Sequence, residues 1–187
     1  MKLIKSLLIL TLTFTFINMN AQDRYLTRSG HIKFFSSAPL EDIEAHNYKA
    51  LSIVDLSKGQ IAVDLLIKAF EFEKKLMHEH FNENYMESGK YPKSTFKGTF
   101  DVPAGLKAME DGTYALDVKG DLSIHGVEKP IDTQATLTVK DGKLEGEVVF
   151  KVKVKDYKIS IPKVVVRNIA EEVEVTGVFS YEPFKRG

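Results

Sequence analysis

The sequence predicts a mainly-β fold of about eight antiparallel strands, closed as a barrel or stacked as a sandwich, with one amphipathic helix inserted over about residues 74–88. Three observations predict it. Apolar and polar residues alternate with period two through most of the chain beyond residue 23, placing the apolar side chains of each run on one face. Turn signals separate the runs: Ser57-Lys58-Gly59-Gln60, His125-Gly126 and Asp141-Gly142. A single stretch, Lys74 to Ser88, changes to a helical period. An eight-stranded barrel is either filled by its own side chains or holds one small ligand.

Taken in order, Asp23 to Ser36 is extended, with Ile32 and Phe34 on one parity, Phe35 on the other and Gly30 as a bulge or bend. Ile43 to Asp55 is apolar enough for a strand but loses parity, because Leu51 and Ile53 share a side with Asn47 and Lys49. A bulge near Tyr48 accounts for this, and so does a polar group facing inward; function often sits where the local pattern fails. After the next turn Ile61, Val63, Leu65 and Ile67 alternate with Ala62, Asp64, Leu66 and Lys68, and Phe70 and Phe72 follow on the other parity. In the helical stretch Met77, Phe81 and Tyr85 recur every four residues with Leu76 beside them, among His78, Glu79, Asn82, Glu83 and Glu87. Gly89 is placed to end this helix and Pro92 forbids resuming it. One helix beside a sheet suits the closing of a barrel end.

Further strands follow steadily. Phe96, Gly98, Phe100 and Val102 share a parity, as do Tyr114, Leu116, Val118, Gly120, Leu122 and Ile124. Beyond the His125-Gly126 turn and Pro130, a second run carries Ile131, Thr133, Ala135, Leu137 and Val139 on one face. Two neighbouring half-buried runs with polar outsides indicate an antiparallel sheet with one dry face. Asp141-Gly142 then leads to Leu144, Gly146, Val148, Phe150, Val152 and Val154. Asp156 to Ile169 is a longer connection whose apolar centre, Val164 to Val166, reads as a short strand. The last run aligns Val173, Val175, Gly177, Phe179 and Tyr181.

Composition narrows the function. Charge is balanced, with 26 Lys+Arg against 26 Asp+Glu in 187 residues, so the chain as a whole is not pulled toward nucleic acid or an anionic membrane. Lys2 and Lys5 precede an apolar run, Leu7 to Ile17, then Asn18 to Gln22; this is the pattern of a secretory signal peptide over residues 1–21 with cleavage after Ala21. The expected mature domain spans 22–187, is exported, and makes no stable membrane insertion after cleavage. Without cysteine there is no disulfide framework, thiol chemistry, Fe–S cluster or lipidated amino-terminal cysteine. Stability must come from a core.

Gly98, Gly120, Gly146 and Gly177 each fall midway along a different strand on the inward parity. They are either the bends a closed sheet needs, or missing side chains that hollow the interior. The second reading makes them cavity-forming. The barrel-lining candidates for ligand contact are Phe34, Val63, Leu65, Met77, Phe81, Phe96, Phe100, Tyr114, Leu116, Leu122, Leu137, Phe150 and Phe179, whose character suits an apolar ligand. The chain carries no G-x-S-x-G, P-loop or G-x-G-x-x-G pattern. His78 and His80, two apart on a helix, face different ways, and no metal, cofactor or catalytic residue is assigned. His125 reads as a turn hydrogen-bonder, Asp156-Tyr157 as a loop corner or a polar pair at a barrel mouth. Lys151, Lys153 and Lys155 form an outward row, a solvated face or one that attracts anionic head groups.

The block Gly120-Asp121-Leu122-Ser123-Ile124-His125-Gly126-Val127-Glu128-Lys129-Pro130 closely resembles a signature of the YceI-like family, with Ser123 in place of the usual Thr. Met77 to Phe81, Tyr91-Pro92, Phe96-Lys97-Gly98 and Asp156-Tyr157 are similar to further blocks of that family; the region before Phe70 aligns poorly. The resemblance implies a lipocalin-like antiparallel barrel in the periplasm that holds a polyisoprenoid or similar long-chain lipid; the expected role is storage or transport of that lipid, without catalysis. It supplies no residue-level site. An enzyme acting on a lipid or quinone in the same barrel, a solid-cored interaction module, and a homodimer stay open.

Overall fold

A computed structural model describes residues 23–165 and 167–184; the expected signal peptide lies outside them. Nine strands form among the described residues: β1 (Arg24–Ser37), β2 (Asp42–Asp55), β3 (Gln60–Leu66), β4 (Glu71–Phe72), β5 (Lys93–Thr99), β6 (Gly112–Ile124), β7 (Val127–Lys140), β8 (Lys143–Lys153) and β9 (Glu172–Pro183). All but β4 close into an eight-stranded antiparallel barrel, running β1-β2-β3-β5-β6-β7-β8-β9 and back to β1. Closure leaves no sandwich. The short β4 lies against Ala45 and His46 of β2.

Two hairpins pin the register of the central strands. His125 and Gly126 (φ 52° and 71°) join β6 to β7, and Asp141 and Gly142 (φ 51° and 72°) join β7 to β8. Both two-residue loops are left-handed at each position, the type whose twist matches that of the flanking strands.

The lost parity of β2 resolves as a bulge and an inward polar group together. Tyr48 and Lys49 are both exposed, the β1–β2 register slips opposite them around Gly30, and Ala45 and Asn47 on one side and Ala50, Ser52 and Val54 on the other all turn inward. Leu51 and Ile53 therefore face outward, against the expected side. Asn47 is fully buried and serves the bulge itself: its Nδ2 donates to the Leu66 carbonyl (3.0 Å) and its Oδ1 accepts from the Lys49 N–H (2.9 Å).

The helix is shorter than expected. α1 (Lys75–His80) runs into one π-type turn, Phe81–Tyr85, and stops there. Glu87 takes a positive φ (42°) and the Ser88 N–H bonds the Asn82 carbonyl (2.8 Å), so the chain turns before Gly89 is reached. Met77, Phe81 and Tyr85 are half-buried on one stripe, whereas Leu76 is 60% exposed and does not belong to it. A second helix, α2 (Ala104–Lys107), is too short to show a period in sequence, yet its Leu106 is fully buried. The segment expected as a strand at Val164–Val166 is instead a 3-10 turn over Lys163–Val165, with Val166 outside the described residues.

The barrel interior divides into two halves along its axis. In β7, Leu137 and Val139 are buried while Ile131, Thr133 and Ala135 on the same face are only half-buried. β8 repeats this, with Leu144 and Gly146 buried and Val148 and Phe150 half-buried. So does β9, with Phe179 and Tyr181 buried and Val173 and Val175 half-buried. One end is therefore solid, packed by Tyr25, Val54, Leu56, Leu106, Leu116, Leu144 and Tyr181. There the Tyr181 hydroxyl pairs with Ser52 Oγ (2.8 Å), and burial pushes its phenol far above the ordinary range. Toward the other end Ile131, Thr133, Ala135, Val148, Phe150, Val173 and Val175 remain half-buried because they face space.

Candidate functional site

That space is a cavity of about 370 Å³, lined by side chains from all eight barrel strands. Its walls are overwhelmingly aliphatic and aromatic, among them Ile32, Ile61, Val118, Ile131, Val148 and Val175. Phe34, Phe70, Phe72 and Phe81 form an aromatic cluster with ring centroids 5.0–5.8 Å apart, which joins β1, β4 and the helical turn on one wall. Such geometry favours an apolar ligand bound by displaced water rather than by a charge.

Three segments frame the opening: the β1–β2 turn, the helix, and the irregular chain from Val154 to Ile169. Half-exposed Glu41 and Asn168 and exposed His80 all border the cavity, so it reaches solvent between these segments. Glu41 holds the three together. Its carboxylate takes the Lys74 Nζ at 3.2 Å and the Asn168 Nδ2 at 3.4 Å, while the Leu40 N–H bonds the Arg167 carbonyl (3.0 Å). The Val154–Ile169 segment lies over the opening as a lid, contributing Val154, Ile159, Ile161, Val165 and Ile169 to the lining.

The lid also covers a fault in the barrel wall. β7 and β8 are paired from Lys140 and Lys143 only as far as Ala135 and Val148, and beyond that point they separate. Val152 and Tyr157 pack there against Leu122, with Ile131, Phe150 and Ile159 around them. Burial, with the neighbouring Asp156 charge adding to it, raises the Tyr157 phenol above its usual range. The Tyr157 carbonyl accepts from His125 Nδ1 (3.1 Å), and His125 Nε2 pairs with Glu87 (2.8 Å), so this buried ring ties the β6–β7 hairpin to the lid and to the chain after the helix.

Nine of the thirteen expected lining residues border the cavity: Phe34, Val63, Leu65, Met77, Phe81, Phe96, Leu122, Phe150 and Phe179. Phe100, Tyr114, Leu116 and Leu137 do not, because they belong to the solid end. Phe100 is tied there by its N–H to the Gly59 carbonyl (2.9 Å), and Tyr114 donates its hydroxyl to the Glu110 carbonyl (2.8 Å) beside α2. Leu116 and Leu137, each 4% exposed, fill the layer between. Alternation assigns the correct face of a strand but not the position along the barrel axis.

The four glycines do not make the cavity. A Cβ on Gly98 would fall 2.6 Å from the Phe96 ring, and on Gly177 about 3.0 Å from both Phe179 and Val148. On Gly146 it would meet Leu137 and Tyr181 at 3.1 Å, and on Gly120 it would collide with the Lys97 carbonyl across the sheet. Neighbouring atoms already occupy the missing volume, so these positions let strands and rings approach closely. The hollow arises elsewhere, where medium-sized side chains face one another across the barrel and the strands splay.

Sequence reasoning missed the lid residues, which follow no period, and Phe70 and Phe72, which follow the strand signal where it fades. Ile61, Ile131, Val148 and Val175 share the parity of named candidates and could have been added from it. His78 Nε2 lies 3.4 Å from the Lys68 carbonyl while His80 borders the cavity, so the two rings have different surroundings.

Comparison with known proteins gives a consistent picture. A family model described as a YceI-like domain matches residues 20–180. Among curated proteins, a UPF0312 protein of Vibrio parahaemolyticus is 42% identical over 52 residues (28% of this chain, 24% of that one). One of Pseudomonas fluorescens is 38% identical over 55 residues (29% and 27%). The chain thus matches about a quarter of the length of these relatives. Among solved structures, a polyisoprenoid binding domain from Saccharophagus degradans superposes with a TM-score of 0.73 at 16% identity, over 87% of this chain and 99% of that one. BcnA of Burkholderia cenocepacia gives 0.68 at 17%, over 82% and 96%. A YceI protein of Campylobacter jejuni gives 0.57 at 18%, over 76% and 85%. At such identities the likeness concerns the fold.

Proposed function

The chain belongs to the YceI-like domain family, and on that premise we propose that it is an exported carrier which holds a long-chain apolar lipid, of polyisoprenoid or isoprenoid-quinone type, in its barrel cavity. The observation that carries this reading is a hollow of about 370 Å³ walled by aliphatic and aromatic side chains from every barrel strand. Transfer of apolar surface out of water contributes about 25 cal/mol per Å² buried, so a hydrocarbon tail several isoprene units long is retained without a strong polar anchor. The Saccharophagus degradans neighbour, described as a polyisoprenoid binding domain, supports the ligand class. The reading is of binding and delivery, without a chemical step. Export rests on the leader-like residues 1–21, and the exported form is expected to begin at Gln22.

The test is organic extraction of the purified native protein followed by mass spectrometry. An isoprenoid-type lipid is expected near one equivalent, and Phe150→Asp, which sets a carboxylate into the cavity wall, is expected to reduce it at least about tenfold. A wild-type protein that yields no lipid, or a Phe150→Asp protein that is folded and equally loaded, overturns the proposal. Amino-terminal sequencing of the exported protein checks the leader separately.

A further inference from the structure

The lid carries a second, outward pattern that its role as a cavity wall does not require. Val154, Ile159, Ile161, Val165 and Ile169 line the cavity, while Lys155, Lys158, Lys163 and Arg167 are all exposed, against one carboxylate in the segment, Asp156. No ion pair involves these four among the described residues; Lys151, earlier on the same run, is by contrast paired with Glu172 (3.5 Å).

Beside this basic strip stand the two most exposed large hydrophobic side chains of the described residues, Leu76 at 60% and Leu40 at 59%. Leu40 is held to the lid by its bond to the Arg167 carbonyl, and the Lys74–Glu41 ion pair holds the helix start, with Leu76, to the same turn. The carboxylates of this face are partly engaged already, Glu41 by Lys74 and Glu79 by Lys75 (3.5 Å), and Glu73 is exposed. Two leucines projecting beside a row of unpaired cations, around the opening of an apolar cavity, combine the two forces that hold a protein on a bilayer: insertion of apolar side chains and attraction to anionic head groups.

We propose that the face formed by the lid, the β1–β2 turn and the start of α1 docks on an anionic lipid bilayer, so that the cavity opening meets the membrane and a lipid passes between them without crossing water. This deepens the carrier reading and rests on it for the purpose of docking; docking itself does not need a loaded cavity. A soluble polyanion would also meet the cations, but it would leave Leu40 and Leu76 without a role.

Co-sedimentation of the purified protein with vesicles of equal parts phosphatidylglycerol and phosphatidylcholine, against phosphatidylcholine alone, tests this. Binding to the anionic vesicles is expected to exceed that to neutral ones and to weaken as salt is raised. K155E/K163E/R167E is expected to lower it on the order of 100-fold. L40S/L76S, which removes the apolar side chains without adding charge, is expected to lower it about tenfold while leaving affinity for heparin unchanged. All five side chains are exposed, and thermal melts together with the lipid content of each variant confirm an intact barrel. Equal binding to both vesicle types, unchanged binding in either variant, or a leucine variant that keeps full vesicle affinity overturns the docking proposal. A protein that docks yet contains no extractable lipid overturns the carrier reading alone.

Discussion

Gly120 shows how much one missing side chain decides in a closed sheet. It faces Gly98 across the β5–β6 pair, and any Cβ there would strike the backbone of Lys97. Backbone cannot step aside as a flexible side chain can, so Gly120→Ala is expected to cost roughly 2–3 kcal/mol, within the range seen for overpacking. Gly89 is the control: nothing lies within 4 Å of its would-be Cβ, and Gly89→Ala is expected to stay within about 0.5 kcal/mol of wild type. Denaturant midpoints of the two variants check the contrast, and equal midpoints would contradict the close-approach role. Asn47 is the polar counterpart, an amide that completes the hydrogen bonding of a bulge inside an otherwise dry wall.

Among the elements, those with a period were legible in the sequence and those without one were not. β6 and β7 could be drawn from alternation alone, and the two hairpins from His125-Gly126 and Asp141-Gly142, because each rests on local backbone chemistry. Helix α1 was legible in existence but not in length. Its end is set by the Ser88–Asn82 bond and the π-type turn, which depend on packing against the barrel rather than on Gly89. The lid was legible only as a long connection, Asp156 to Ile169, since its inward residues, Ile159, Ile161 and Val165, are placed by the opening they cover. Even Pro130, which stood as an interruption, lies within β7 opposite Asp121, on the stretch that β8 no longer accompanies. Proline lacks the N–H a two-sided strand needs, and an edge tolerates it. It follows that the amides of Ile131 to Gln134 turned away from β6 should exchange with solvent far faster than those bonded to it, by roughly a hundredfold or more. Uniform protection along β7, measured by residue-resolved hydrogen exchange, would mean that β7 and β8 are paired throughout in solution.

For the molecule as a whole, the division into a solid and a hollow half separates stability from ligand capacity. Leu137 sits 4% exposed in the solid half, while Ala135, two residues along the same strand and facing the same way, borders the cavity. Removing volume from the solid half leaves a void that its neighbours cannot collapse onto, so Leu137→Ala is expected to lose about 2–5 kcal/mol, yet the folded fraction should keep its lipid. Adding volume to the hollow half does the reverse. Ala135→Phe places a ring in space that a ligand would fill, so bound lipid should fall at least about tenfold. The lipid-free protein should melt no lower than wild type, because filling empty apolar space gains packing without forcing a rotamer. Measured together by extraction and thermal melting, Leu137→Ala should lose stability but not lipid, and Ala135→Phe lipid but not stability. A barrel whose interior served only as core would instead lose stability with both, since overpacking and underpacking a filled interior are each destabilising.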